Sequence, residues 1–270
     1  MTNFKNKKVA ILGFGLEGKD ALLFLLKRGA KVSILDRKEE SQLDIEKFAR
    51  SKVNIFCGKN YDLKKLSGYD LIVRSPGVYR FQKEIVNAEK SGIEITSPTK
   101  IFFDLCPSKI IGVTGTKGKG TTASLIYEML KAGGKDVYLA GNIGVAYLEI
   151  LPKLSEKNIV ILELSSFQLI DVKKSPNIAV VLNITVDHLD WHRDKKEYVE
   201  AKKNIVKYQD KDDFAVINKD YVTPKKFAKE TSAKVVFFSK KTLSGKFKNG
   251  LLLRGKHNLE NIAASVSVAK

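Results

Sequence analysis

The sequence predicts an α/β protein built from two units, each a parallel sheet covered by helices. Three observations predict it. Strand-length apolar runs alternate with segments of helical spacing, two glycine-rich loops each follow a strand and open a helix, and prolines at Ser97-Pro98 and Cys106-Pro107-Ser108 interrupt the rhythm between them. With 270 residues and 43% hydrophobic content, the chain is long enough for two cores, since domains run to about 100–150 residues. The first domain is placed at residues 1–98 and the second at 99–270.

In order, the first unit reads as a strand at 9–12, a helix at 21–28 and a strand at 32–35, and the alternation continues to Ile95. The second unit begins abruptly with a strand at 109–113 that runs into the second glycine loop. Strands are then expected at 137–140, 159–164, 178–183 and 214–218, and helices at 121–132 and 195–207. The last residues, 258–270, read as a helix with Ile262, Val266 and Ala269 on one face, so the architecture is expected to be incomplete at that end.

Charge and cysteine usage narrow the function. The formal net charge is +18, but arginine, the residue that forks onto phosphates and guanines, is sparse and the lysines are scattered through every segment. This predicts a solvated lysine-rich surface and no nucleic-acid partner. Cys57 and Cys106 are far apart and lack a C-x-x-C spacing, and the polar, basic start from Met1 to Lys8 is not followed by a signal-like apolar run. No run approaches the ~18–20 apolar residues a membrane helix needs. The expectation is a cytoplasmic, monomeric protein without a membrane anchor.

Gly13-Phe14-Gly15-Leu16-Glu17-Gly18 lies between the first strand and first helix, with Asp36 closing the next strand, at the ~20-residue spacing of a Rossmann-like dinucleotide fingerprint. The glycines let the backbone approach a diphosphate at the helix start, and Asp36 can accept from a ribose hydroxyl. The same turn also occurs in doubly wound folds without a ligand. The second loop, Gly112-Val113-Thr114-Gly115-Thr116-Lys117-Gly118-Lys119-Gly120-Thr121-Thr122, predicts a P-loop-type ATPase domain. Its backbone N–H groups would wrap phosphate oxygens, Lys119 would reach the β and γ phosphates, and a hydroxyl would meet Mg²⁺. The strict G-x-x-x-x-G-K-[ST] spacing is not met, because Val113 holds the first glycine position and Gly120 follows the lysine.

Two strand ends add polar groups. Glu163-Leu164-Ser165-Ser166-Phe167-Gln168 and Asn183-Ile184-Thr185-Val186-Asp187-His188-Leu189-Asp190 both follow buried strands, where open parallel sheets hold ligands. Glu163, Asp187 and His188 should converge with the phosphate loop around nucleotide-bound Mg²⁺. His192 reads as a structural histidine.

Taken with Gly141-Asn142-Ile143-Gly144, Ala201-Lys202 and Gly255-Lys256-His257-Asn258, these segments resemble the Mur ligases in order and spacing across nearly the whole chain. Within that family, Leu-Ser-Ser-Phe-Gln and Ser75-Pro76-Gly77 are similar to the members that add D-glutamate to UDP-N-acetylmuramoyl-L-alanine. The resemblance implies an ATP-dependent ligase of peptidoglycan precursor synthesis, working through an acyl phosphate. It implies a UDP-sugar, not NAD, at Gly15, Leu16, Glu17, Asp36, Arg37 and Gly77, with Asn142, Ser165 and Gln168 also toward the substrate. ATP would lie on Gly115, Thr116, Lys117, Gly118, Lys119, Gly120 and Thr121, with Asn258 and Asn261 near the adenine. Lys119, Glu163, His188 and Lys202 would be catalytic, Lys202 as a carbamate. Two Mg²⁺ ions would be held by Glu163, His188, Lys202 and a loop hydroxyl. Gly120 stands where muramyl ligases carry Ser or Thr, so Thr121 is the substitute hydroxyl.

Other readings stay open. A folylpolyglutamate synthase shares the ATP chemistry but takes a pterin acceptor and lacks a unit like residues 1–98. A NAD-dependent dehydrogenase leaves the second loop and Glu163 without a role. A binding fragment without catalysis is the third, because these ligases carry a further C-terminal domain that the sequence through Lys270 does not supply.

Overall fold

The computed structural model describes residues 3–45, 53–185, 187, 190–243 and 255–270. The chain forms two compact units: Met1–Leu105 with Ala146–Pro152, and Cys106–Val145 with Lys153–Lys270.

The first unit contains β1 (Lys8–Leu12), α1 (Leu16–Lys27), β2 (Lys31–Asp36), β3 (Val53–Cys57), β4 (Leu71–Arg74), α2 (Lys83–Lys90), β5 (Glu94–Thr96) and α3 (Pro98–Leu105). Its sheet runs β3-β2-β1-β4-β5, with every pairing parallel. Val9 to Leu12 are fully buried, so β1 is apolar on both faces, as a sheet covered by helices on both sides requires. The order switches direction at β1, with β2 on one side and β4 on the other. In open α/β sheets ligands bind outside the carboxyl ends of the strands at such a switch point, which here coincides with the glycine loop.

Helix α1 starts five residues before the expected position of 21. Its first turn carries no apolar signal, because Leu16 is 69% exposed and Glu17 and Lys19 are charged, so periodicity becomes visible only at Ala21. The Ser97-Pro98 break is a helix start: the Ser97 hydroxyl accepts from the Lys100 N–H at 3.1 Å, and proline suits the first helical position. Helix α3 extends the first unit to Leu105, past the expected division at 98.

The sequence gives no sign that residues 146–152 return to the first unit. Their short helix α5 (Tyr147–Ile150) buries Tyr147, Leu148 and Ile150. The Tyr147 hydroxyl bonds Thr99 Oγ1 at 2.9 Å and donates to the Glu17 carboxylate. Leu148 N–H donates to Asp20 Oδ2 at 2.9 Å.

The second unit contains β6 (Lys109–Thr114), α4 (Lys119–Ala132), β7 (Val137–Gly141), β8 (Ile159–Glu163), α6 (Ser166–Leu169), β9 (Ile178–Val181), α7 (Lys195–Lys207), β10 (Phe214–Asn218), α8 (Val222–Phe227), β11 (Lys234–Phe238) and α9 (Lys256–Ala269). The sheet order is β11-β10-β9-β6-β8-β7, all parallel. The switch falls at β6, so the segments following β6, β8 and β9 leave from one edge. β11, which the sequence reading missed, forms the outer strand beside β10. Among the described residues, no helix is long and apolar enough to cross a membrane.

Burial pushes the Asp20 carboxyl up to about 6, against the lowering effect of the Leu148 N–H. The folded state therefore holds this proton more tightly than the unfolded chain, whose value is 3.8. Below 3.8 both states are protonated, and as pH rises toward 6 the folded state loses relative stability. Asp20→Asn should remove this loss, on the order of 1–3 kcal/mol. Urea titrations of both proteins at pH 4 and 7 measure it: the variant should gain on wild type at pH 7, and equal pH dependence would exclude the effect.

Candidate functional site

In the first unit, the glycine loop is held by the backbone of β2 and by two side chains, Asp36 and Ser75. Gly13 N–H donates to Leu35 O at 2.9 Å, Phe14 N–H to Asp36 Oδ2 at 2.6 Å, and Ser75 Oγ to Gly13 O at 2.6 Å. Asp36 also accepts from Lys38 N–H at 2.8 Å, so the expected ribose acceptor already fixes the turn. A Cβ on Gly18 would lie 2.2 Å from Gly13 O. Only glycine allows α1 to pack this closely against the strand end. Gly15 caps α1, with Leu16 exposed beside it. Glu17 is engaged by Tyr147. Arg37 reaches Gln82 Oε1 at 3.3 Å and lies 5.8 Å from the Tyr61 ring. Gly77 sits in a turn strapped by the buried Arg74, whose Nη1 donates to the carbonyls of Ser75, Pro76 and Val78 at 3.1, 3.3 and 2.6 Å.

In the second unit, the loop between β6 and α4 is tied to the segment after β9. Thr116 N–H donates to Asn183 O at 2.7 Å, and Thr116 Oγ1 accepts from Thr185 N–H at 2.9 Å and bonds the Tyr198 hydroxyl at 3.0 Å. Lys119 Nζ folds back onto Thr116 O at 3.0 Å, while Lys117 is exposed. Gly118 caps α4 at φ +84, and a Cβ there would lie 2.3 Å from Asn261 Oδ1. Asn261, buried on α9, bonds Thr122 Oγ1 at 3.3 Å and Asn258 Oδ1 at 3.0 Å. Both expected adenine-side asparagines thus lie in one hydrogen-bonded group with the phosphate loop. Thr121 is half-buried in the first turn of α4.

Glu163 ends β8 and is buried. Its Oε2 lies 3.5 Å from where a Cβ on Gly120 would be, so β8 and α4 bring a carboxylate to the lysine-bearing turn. Asn142 N–H reaches Glu163 O at 3.4 Å. Ser165 and Gln168 form a capping box around α6: Ser165 N–H and Oγ donate to Gln168 Oε1 at 2.8 and 3.0 Å. His188 lies outside the described residues.

Lys202 is not one lysine on a solvated face. It is 2% exposed, and its Nζ donates to Gly115 O at 2.9 Å and Thr114 Oγ1 at 3.3 Å. The Tyr198 ring lies 4.9 Å away. Burial first, and Lys119 second, push its pKa down to about 7, against the attraction of Asp187 and Glu163. The sequence reading missed Thr114 and Tyr198 as partners. Tyr198, four residues before Lys202 and so on the same helical face, was the available signal.

A glycine loop that cradles anions at a helix start, a lysine folded into it and a buried strand-end carboxylate define a phosphate-binding α/β domain that follows a Rossmann-like one. The donor set suits a nucleotide triphosphate with a divalent cation, since lysine supplies charge and carboxylate supplies oxygen. The chain belongs to the Mur ligase family: residues 113–250 match the Mur ligase middle domain and residues 7–97 the Mur ligase MurD-like N-terminal domain. It is 39% identical over 286 residues to the UDP-N-acetylmuramoylalanine--D-glutamate ligase of Acetivibrio thermocellus, covering 97% of this chain and 61% of that protein. The Clostridium botulinum (strain Okra / Type B1) ligase of the same name is 39% identical over 280 residues, with the same coverage of each chain. The chain thus spans 61% of the length of these curated relatives. The same fold occurs in UDP-N-acetylmuramate:L-alanyl-gamma-D-glutamyl-meso-diaminopimelate ligase from Neisseria meningitides, with TM-score 0.64 and 20% identity over 98% of this chain and 93% of that one. It occurs also in UDP-N-acetylmuramate-alanine ligase from Thermotoga maritima, with TM-score 0.55 and 19% identity over 97% of this chain and 64% of that one.

The space at Gly120 yields a test. A Cβ there would make ordinary contacts, 3.5 Å to Glu163 Oε2 and 3.8 Å to Ile143, and serine is the better helix former by a few tenths of a kcal/mol. Gly120→Ser should leave the thermal midpoint equal or raised by roughly 1–2 °C, and Mg²⁺-dependent ADP affinity equal or higher. A clear loss of either in scanning fluorimetry or calorimetry would show that the position requires glycine.

Proposed function

We propose that this chain is the UDP-sugar- and ATP-binding part of a cytoplasmic ligase that joins D-glutamate to UDP-N-acetylmuramoyl-L-alanine. The buried Lys202 amine on the phosphate loop carries the reading, and the relatives named for this reaction support it. The first unit would take the UDP part at Gly15, Leu16, Asp36, Arg37 and Gly77, and Asn142, Ser165 and Gln168 would face the muramoyl-alanine end.

In this reading the L-alanine carboxylate oxygen attacks the γ phosphorus of ATP, giving an acyl phosphate and ADP. The D-glutamate amine then attacks the carbonyl carbon, phosphate leaves, and the amine loses a proton. The loop amides and Lys119 hold the charge that builds on the transferring phosphoryl group, a task of positioning and electrostatics. Lys119 would exchange its bond to Thr116 O for one to a phosphate oxygen, a charge-assisted and stronger contact. Glu163, His188, Thr121 and a carbamated Lys202 would hold two Mg²⁺ ions, which when bound neutralise phosphate charge.

A carbamate forms when a neutral amine attacks CO₂ and releases one proton. An ordinary lysine is almost wholly ammonium at pH 7, whereas one with pKa about 7 is near half neutral there.

Two measurements test this reading. Lys119→Ala should weaken MgATP binding at least tenfold in calorimetry while UDP-N-acetylmuramoyl-L-alanine binding stays within about twofold; unchanged MgATP affinity would remove Lys119 from the site. With ¹³C-bicarbonate, wild type should give a carbamate ¹³C resonance that Lys202→Ala lacks. Absence of the resonance in wild type between pH 7 and 8.5 would leave Lys202 a plain buried amine.

A further inference from the structure

The imidazole of His192 is buried, 2% exposed, and sits between the starts of two helices. Its Nε2 lies 2.8 Å from Ser166 Oγ, the first residue of α6. Its Nδ1 lies 3.3 Å from Glu197 Oε1, in the first turn of α7. Phe167 stacks on the ring at 5.4 Å and 23°, and Trp191 and Tyr198 meet it edge-on at 4.6 and 5.4 Å. Glu197 Oε1 accepts in addition from Arg193 N–H at 3.3 Å, and Asp194 caps α7 through Glu197 N–H at 2.8 Å.

The order Ser-His-Glu is that of an activated serine nucleophile. Here Ser166 is 1% exposed, so no substrate reaches its hydroxyl, and the group has another use. A neutral ring with its proton on Nδ1 satisfies both of these partners: Nδ1–H donates to the Glu197 carboxylate, and Nε2 accepts from the Ser166 hydroxyl. One ring, stacked by Phe167 and met edge-on by Trp191 and Tyr198, thus joins the two helix starts.

What those helices carry gives the link its consequence. Ser166 lies three residues after Glu163, and Glu197 lies one residue before Tyr198 and five before Lys202, which touch Thr116 and Gly115 of the phosphate loop. We propose that His192 is a positioning residue that, through Ser166 and Glu197, sets the distance between the Glu163 strand end and the Lys202 helix, and hence the geometry in which a divalent cation meets a bound nucleotide. This rests on the ligase reading, because it needs that cation to bind at Glu163 and a carbamated Lys202. Removing partners that orient metal ligands typically lowers metal affinity by about 10–100-fold.

The test uses the 270-residue chain and ADP with and without MgCl₂, by calorimetry. Asparagine at 192 can reproduce the Nδ1 donor to Glu197 but does not reach Ser166, so His192→Asn and Ser166→Ala break the same bond from its two ends. Each should lower the Mg²⁺-dependent gain in ADP affinity by about tenfold and leave metal-free ADP affinity within about twofold. The double variant should be no worse than the worse single one, because both remove one interaction. Ser166→Ala deletes a single hydroxyl and keeps the test open should His192→Asn not fold. A gain unchanged in Ser166→Ala, single effects that multiply, or equal losses with and without Mg²⁺ would each overturn the proposal. If wild type itself shows no Mg²⁺-dependent gain, the ligase reading fails and takes this inference with it.

Discussion

Taking the Lys202 ammonium out of water costs several kcal/mol unless it is paired or gives up its proton. The second unit meets that cost with two acceptors on one strand-loop junction, Thr114 Oγ1 and Gly115 O, and with the Tyr198 ring, while its pKa falls to about 7. Those acceptors exist in the right place only because β6 ends there and the chain turns immediately. The same turn is held from the other side by Thr116 on Asn183 and Thr185. Helix α7, the end of β9 and the phosphate loop therefore form one polar assembly, and α9 completes it through Asn261 on Thr122.

The first unit solves the same problem with different residues. Its glycine turn has no buried lysine, and the struts are a carboxylate, a hydroxyl and a guanidinium. Asp36 accepts the Phe14 N–H, Ser75 donates to Gly13 O, and Arg74 straps the facing turn. In both units polar side chains satisfy backbone groups at the carboxyl edge of a parallel sheet, where the ladder ends and the groups would otherwise be left unpaired. An edge built in this way is stiff before any ligand arrives, and that lowers the ordering cost of binding.

The parts of this design that follow local periodicity were legible in the sequence. The βαβ alternation, both glycine turns, Asp36 and Glu163 at strand ends, and the approximate limits of α4, α7 and α9 all follow from spacing. What was not legible depends on contacts between distant segments. The return of residues 146–152 to the first unit rests on Tyr147 meeting Glu17 and Thr99, and a four-residue helix has no period to read. The burial of Lys202 is hidden by the lysines around it in Lys195–Lys207. Only the family resemblance singled it out, and sheet topology supplies the physical reason. His192, which reads as structural from the sequence, is buried, but its two partners, Ser166 and Glu197, lie on elements whose approach the sequence does not encode locally.

The hydrogen bonds around Lys202 also bear on the proposed carbamate. A neutral amine has two N–H donors, and two acceptors face it. A carbamate nitrogen keeps one N–H, so one acceptor must be released. Thr114 is the group that tolerates release, because its hydroxyl already donates to Leu164 O at 2.9 Å and loses only an incoming bond of 3.3 Å. Gly115 O, at 2.9 Å, would keep the remaining N–H and hold the loop in register. The conversion would therefore turn a neutral side-chain end into an anion while costing one long hydrogen bond. That small cost is what a site needs if the same lysine is to position the loop and also supply a metal-binding anion.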